Sequence, residues 1–92
     1  MARVVVTLAI MPESPEVDLS ALEKKSRELI VAFAGLHDSK TEIVPVAFGL
    51  KRLNLIFVMD EAKGSTEALE KQIAALPDVS SVEVTDVRRT IG

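Results

Sequence analysis

The chain has 92 residues and contains no cysteine, tryptophan or tyrosine, three phenylalanines, one histidine and four glycines. Without cysteine there is no disulfide scaffold and no thiol nucleophile, so an intracellular, cytoplasmic protein is the default expectation. A lone histidine, His37, with acids dispersed along the chain gives no ligand cluster, and no metal site is expected. The glycines stand singly at positions 35, 49, 64 and 92. No phosphate-cradling fingerprint can be written across them, so no bound nucleotide or other cofactor is expected. Apolar runs are far shorter than a membrane span, and the segment from Met1 to Val6 lacks signal-peptide features. It reads as a first strand, and no membrane partner is expected.

Charge excludes a further class. The formal net charge is -3 and the pI is about 5.1, which argues against a domain that neutralises nucleic-acid phosphates. Hydrophobic residues make up 48% and charged residues 27%, enough for one soluble core and against disorder. The length fits a single domain over 1–92.

Several segments carry clear periodicity. Residues 3–11 are rich in β-branched side chains and place Val4, Val6, Leu8 and Ile10 on one face. Pro12 and Pro15 bracket a turn, since neither a sheet ladder nor a helix interior accepts them readily. Asp18 is a candidate N-cap, Leu19, Leu22, Leu29, Ile30 and Phe33 recur at helical spacing, and Gly35 ends the helix. Ile43, Val44 and Val46 suit an edge strand, where Pro45 is tolerable. The next strand, Lys51–Met59, turns Leu53, Leu55, Phe57 and Met59 inward and Arg52, Asn54, Ile56 and Val58 outward. Ser65 is a candidate cap for a second helix carrying Leu69, Ile73 and Leu76, which Pro77 stops. Val79–Val87 reads as the last strand, with Val82 and Val84 inward.

The element order is β-α-β-β-α-β, which predicts an α+β ferredoxin-like sandwich: a four-stranded antiparallel sheet with two helices on one face. The second sheet face is then open. Val5, Ala9, Ile56, Val58 and Val87 are expected to point that way, which suggests a protein contact or a homodimer through the open face. The tetrapeptide Ala-Leu-Glu-Lys recurs at 21–24 and 68–71, but these are ordinary helix formers and do not establish a duplication.

Catalytic constellations fail on their chemistry. No serine has a nucleophile elbow around it, and His37 has no buried acid to orient it. Glu13 with Glu16, and Asp60 with Glu61, lie in loops without apolar surroundings to shift a pKa. The RNA-recognition module shares this strand-helix order, yet its aromatic platform is missing from both central strands. The protein is not expected to be an enzyme or to contact nucleic acid directly.

Two features remain: the turn at Phe48 and Gly49, followed by Lys51 and Arg52, and the basic tail at Arg88 and Arg89. Phe48 either folds back over the end of the core or serves a partner, because a large apolar side chain beside a turn glycine invites contact. The arginines either solubilise the terminus or bind.

The segments Pro45–Lys51, Gly64–Glu67, Val79–Val84 and Met11–Leu19 together resemble the guanine-nucleotide exchange domain of translation elongation factor 1-beta, in its short archaeal form. The resemblance covers nearly the whole chain. It implies that the partner is elongation factor 1-alpha, the GTPase that delivers aminoacyl-tRNA, and that GDP release is accelerated without covalent chemistry. Phe48 would be an apolar anchor, with Gly49 allowing the close turn and Lys51 and Arg52 meeting acidic groups. Family members of eukaryotic type carry a penultimate lysine aimed at the magnesium site; Arg89 falls nearest it, and a guanidinium is bulkier than an ammonium. Topology places the Phe48 turn and the end of the fourth strand at opposite ends of the sheet. The alternative from another class is a ferredoxin-like small-ligand-binding or self-assembling regulatory domain that uses Val5, Ile56 and Val58.

Overall fold

A computed structural model describes residues 3–35 and 39–90. His37, Leu36 and the terminal Ile91 and Gly92 lie outside them. The elements are β1 (Arg3–Pro12), α1 (Leu19–Ala34), β2 (Ser39–Pro45), β3 (Lys51–Asp60), α2 (Glu67–Ala74) and β4 (Val79–Thr90). All neighbouring strands are antiparallel, in the order β2-β3-β1-β4. This is the ferredoxin-like arrangement, with β2 at one edge as its sequence suggests.

The alternation in β3 is complete. Leu53, Leu55, Phe57 and Met59 are each at most 2% exposed, and the residues between them are half-buried. Val6, Leu8 and Ile10 of β1 join them, and Leu22 and Ile30 of α1 with Leu69 and Ile73 of α2 close the core from above. Burying such side chains contributes about 1.5–3 kcal/mol each, which is what holds the helices on this face. The Asp18 carboxylate accepts from the Ser20 and Ala21 N–H groups and caps α1, and the Gly35 N–H bonds the Val31 carbonyl at its end.

Three details differ from the sequence reading. Pro12 is the last paired residue of β1, opposite Val79, after a register shift at Met11. The missing N–H is tolerated there because the β1–β3 pairing already stops at Ile10 and Leu53. Thr66, not Ser65, is the residue preceding α2, although the Ser65 hydroxyl still accepts from the Glu67 N–H. The α1 stripe also includes Ser26, fully buried four residues from both Leu22 and Ile30.

The most consequential difference is in β4. Leu8 opposes Val84 but Thr7 opposes Asp86, so Thr85 is an extra residue and β4 bulges there. Side-chain parity reverses beyond it. Val87 opposes the buried Val6 and therefore lies on the helix side of the sheet, not on the open face. On the open face itself Ala9 is 5% exposed, and Val5, Ile56 and Val58 are half-buried.

Candidate partner-docking site

The β2–β3 connection is tight. The Leu50 N–H donates to the Ala47 carbonyl at 3.1 Å and the Val46 N–H to the Leu50 carbonyl at 2.9 Å, closing a single turn over Ala47–Gly49. Both central residues are left-handed: Phe48 has φ 59° and ψ 34°, and Gly49 has φ 76°. Pro45 pairs with Lys51 and the Val46 N–H bonds the Leu50 carbonyl, so the connection has three residues. Within it Phe48 and Gly49 take the two successive positive φ values of a type I′ turn, for which asparagine followed by glycine is preferred.

Here phenylalanine occupies the asparagine position. It is the one non-glycine residue with positive φ among the described residues. A Cβ in this region costs about 1–2 kcal/mol. Nothing is recovered by burial, since Phe48 is 94% exposed. The alternative in which Phe48 folds back over the core is thereby excluded.

The six residues singled out from sequence separate into groups. Phe48, Gly49 and Lys51 share the hairpin tip, and all three are exposed. Arg52 does not join them: opposite Val44 it lies on the open face, half-buried, and its Nε has no hydrogen-bond partner among the described residues. Alternation along β3 puts the two adjacent cations on opposite faces of the sheet.

Arg88 and Arg89 lie at the other end of the sheet, where Val4 and Val5 of β1 oppose them. Ten residues of β3 at about 3.3 Å each separate the two ends, roughly 30 Å. Arg88, on the open face, pairs with Asp86 at 2.8 Å. Arg89, turned to the helix side by the Thr85 bulge, pairs with Glu61 at 2.5 Å. Both guanidinium groups stay largely exposed. Sequence reasoning missed Glu61 as the partner of Arg89, because the contact depends on the bulge.

A second loop reaches the hairpin tip. Pro15, between β1 and α1, faces Gly49 with room for about one methyl group between them: a Cβ added at Gly49 would stand 3.9 Å from both Cβ and Cγ of Pro15. Between the loops lies an open cleft of about 370 Å³ lined by residues including Pro12, Ser14, Asp18 and Lys51. Among the described residues no three His, Cys, Asp or Glu side chains converge as a metal site, and no helix is long and apolar enough to cross a membrane.

The structure is thus a ferredoxin-like sheet whose most exposed large apolar side chain, among the described residues, projects from a left-handed hairpin turn. The chain belongs to the EF-1 guanine nucleotide exchange domain family, whose model matches residues 5–90. It is 52% identical over 89 residues to elongation factor 1-beta of Methanobrevibacter smithii, covering 97% of this chain and 98% of that one. It is 48% identical to elongation factor 1-beta of Methanothermobacter thermautotrophicus over the same shares, and 38% identical to that of Methanocaldococcus jannaschii, covering 95% and 97%. Among solved structures, one described as BlrP1 BLUF superposes on the whole chain and 57% of its own length with a TM-score of 0.58 at 16% identity. That likeness concerns the fold alone.

Proposed function

We propose that this domain accelerates the release of GDP from elongation factor 1-alpha in the cytoplasm, so that GTP can rebind during translation elongation. It acts through protein contact, with no covalent step. The observation that carries the reading is Phe48, held in a left-handed turn and 94% exposed. The residue is unfavourable twice over, as a β-carbon at positive φ and as bare apolar surface, and a binding role accounts for both. An aromatic that enters a pocket of the GTPase buries its whole ring and is the type of side chain that dominates interface energetics.

Exchange requires more than binding. The factor must favour the nucleotide-poor GTPase over the GDP-magnesium form, since a ligand with equal affinity for both states shifts nothing. Phe48, Gly49 and Lys51 supply attachment at one end. Arg89, with Arg88 beside it, is suited to act on the magnesium and phosphate region from the other end, roughly 30 Å away along the sheet. Arg89 exchanges its bond to Glu61 for the new one, and an exposed ion pair of this type contributes at most about 1 kcal/mol, so the release is inexpensive. Arg52, on the open face, is left out of the anchor.

The test is to load the organism's own elongation factor 1-alpha with fluorescent GDP and follow its release on adding this chain. Acceleration that saturates with concentration is expected. Release at the spontaneous rate would overturn the reading, and sedimentation of the free chain as a dimer would instead favour self-association through the open face.

A further inference from the structure

The open cleft between the β1–α1 loop and the hairpin tip adjoins Gly49, the neighbour of Phe48. Pro12, Val17 and Leu19 give it apolar walls that are buried or half-buried, and Ser20 and Lys51 give it an exposed polar rim. Gly49, which carries no side chain, leaves the hairpin side of the cleft clear. The loop wall is tied down, since the Glu13 N–H donates to the Asp78 carbonyl at 2.9 Å. At about 370 Å³ the cleft is near the bottom of the range of about 300–1,000 Å³ for small-molecule pockets. That space suits one or two side chains brought by a protein.

Two charged residues line the cleft, and only one of them is uncompensated. The Asp18 carboxylate accepts from the Ser20 and Ala21 N–H groups at the positive end of α1. The Lys51 ammonium has no ion pair and no hydrogen bond among the described residues. Alternation along β3 puts Lys51 on the helix side of the sheet, the side to which Arg89 also turns. A single partner can therefore meet both cations from one side.

We propose that this cleft is the receiving half of the docking site: while Phe48 enters the GTPase, a carboxylate-bearing side chain of the GTPase enters the cleft and pairs with Lys51. The inference rests on the exchange reading and deepens it. Because the walls stand in place in the free protein, the incoming side chain meets a formed site and little ordering cost is added. The cleft acts on attachment, so its loss raises the concentration needed for half-maximal exchange and leaves the rate at saturation unchanged.

The experiment follows release of fluorescent GDP from elongation factor 1-alpha over a range of concentrations of the intact chain, Lys51→Gln, Ser20→Phe, Ser20→Leu and Lys71→Gln. Thermal unfolding of each variant confirms that it is folded. Lys51→Gln removes the cation, and Ser20→Phe and the smaller Ser20→Leu fill the cleft from its rim. Each is expected to raise the half-maximal concentration roughly three- to tenfold. The effect of Lys51→Gln should shrink as potassium chloride is added, whereas that of the Ser20 variants should persist. Lys71→Gln loses the same charge from the exposed surface of α2 and should match the intact chain. A shift in Lys71→Gln equal to that in Lys51→Gln would mean general attraction and overturns the proposal. So does a shift from Lys51→Gln or from the Ser20 variants without the other. Acceleration by the intact chain that all these variants leave unchanged overturns the cleft and leaves the exchange reading standing; no acceleration by the intact chain removes both.

Discussion

Val6 and Val87 face each other across β1 and β4, one fully buried and the other more than half exposed, on the same side of the sheet. The bulge absorbs Thr85, an extra residue in β4, so that the pairing holds and Arg89 lies on the side where Glu61 stands. Deleting Thr85 should remove the bulge and leave the pairing as it stands, with Val87 opposite Val6 and Arg89 opposite Val4. The residues on either side of the deletion already alternate. Arg89 should keep Glu61 as its partner, and the maximal exchange rate and half-maximal concentration should both stay put. A fall in the maximal rate with the half-maximal concentration unchanged would mean that the bulge contributes more than the facing of Arg89.

Phe48→Asn separates folding from function more cleanly than truncation to alanine. Asparagine tolerates the left-handed turn better than phenylalanine, and the substitution removes exposed apolar surface. Thermal unfolding should therefore show an equal or higher Tm, whereas exchange should lose the anchor, worth about 2 kcal/mol or roughly thirtyfold in half-maximal concentration. A drop in Tm would mean that the ring supports the fold in a way its exposure does not suggest.

The two ends of the sheet should leave different kinetic signatures. Arg89→Ala removes the tail cation and is expected to lower the maximal rate of GDP release with little change in half-maximal concentration; Phe48→Ala should do the reverse. Glu61→Gln, which frees Arg89, should alter stability by less than about 0.5 kcal/mol and should not reduce the maximal rate. Saturation curves for the three variants decide this.

Ser26 gives a prediction about the core alone. Its hydroxyl is buried in α1 without a hydrogen-bond partner among the described residues. Ser26→Ala removes the unsatisfied group and improves helix propensity, so stability should rise by about 1 kcal/mol, or several degrees in Tm for a domain of this size. A fall in Tm would indicate that the hydroxyl has a partner, such as a bound water.

Much of the frame was legible because the residues concerned report on local rules. The period of two in Lys51–Met59, the cap at Asp18 and the glycine after Ala34 each depend on their own neighbours and hold in the structure. The Thr85 bulge depends on pairing with β1, and no local pattern near Thr85 announces it, so the facing of Val87 came out inverted. At the docking tip, Gly49 signalled a turn, but the left-handed state of Phe48 follows from hairpin twist acting on two residues. Lys51 and Arg52 looked like one cationic pair because they are adjacent in sequence; strand alternation, already visible there, assigns them to opposite faces. The cleft that Pro15 and Gly49 line brings together loops more than thirty positions apart and had no sequence signal.

The most direct measurement is stopped-flow release of fluorescent GDP from the cognate elongation factor 1-alpha, with the intact chain and Phe48→Ala at matched concentrations of folded protein. Saturable acceleration by the intact chain, and a saturation curve displaced to roughly thirtyfold higher concentration by Phe48→Ala, is the predicted result. Superposable curves for the two proteins would contradict the anchor.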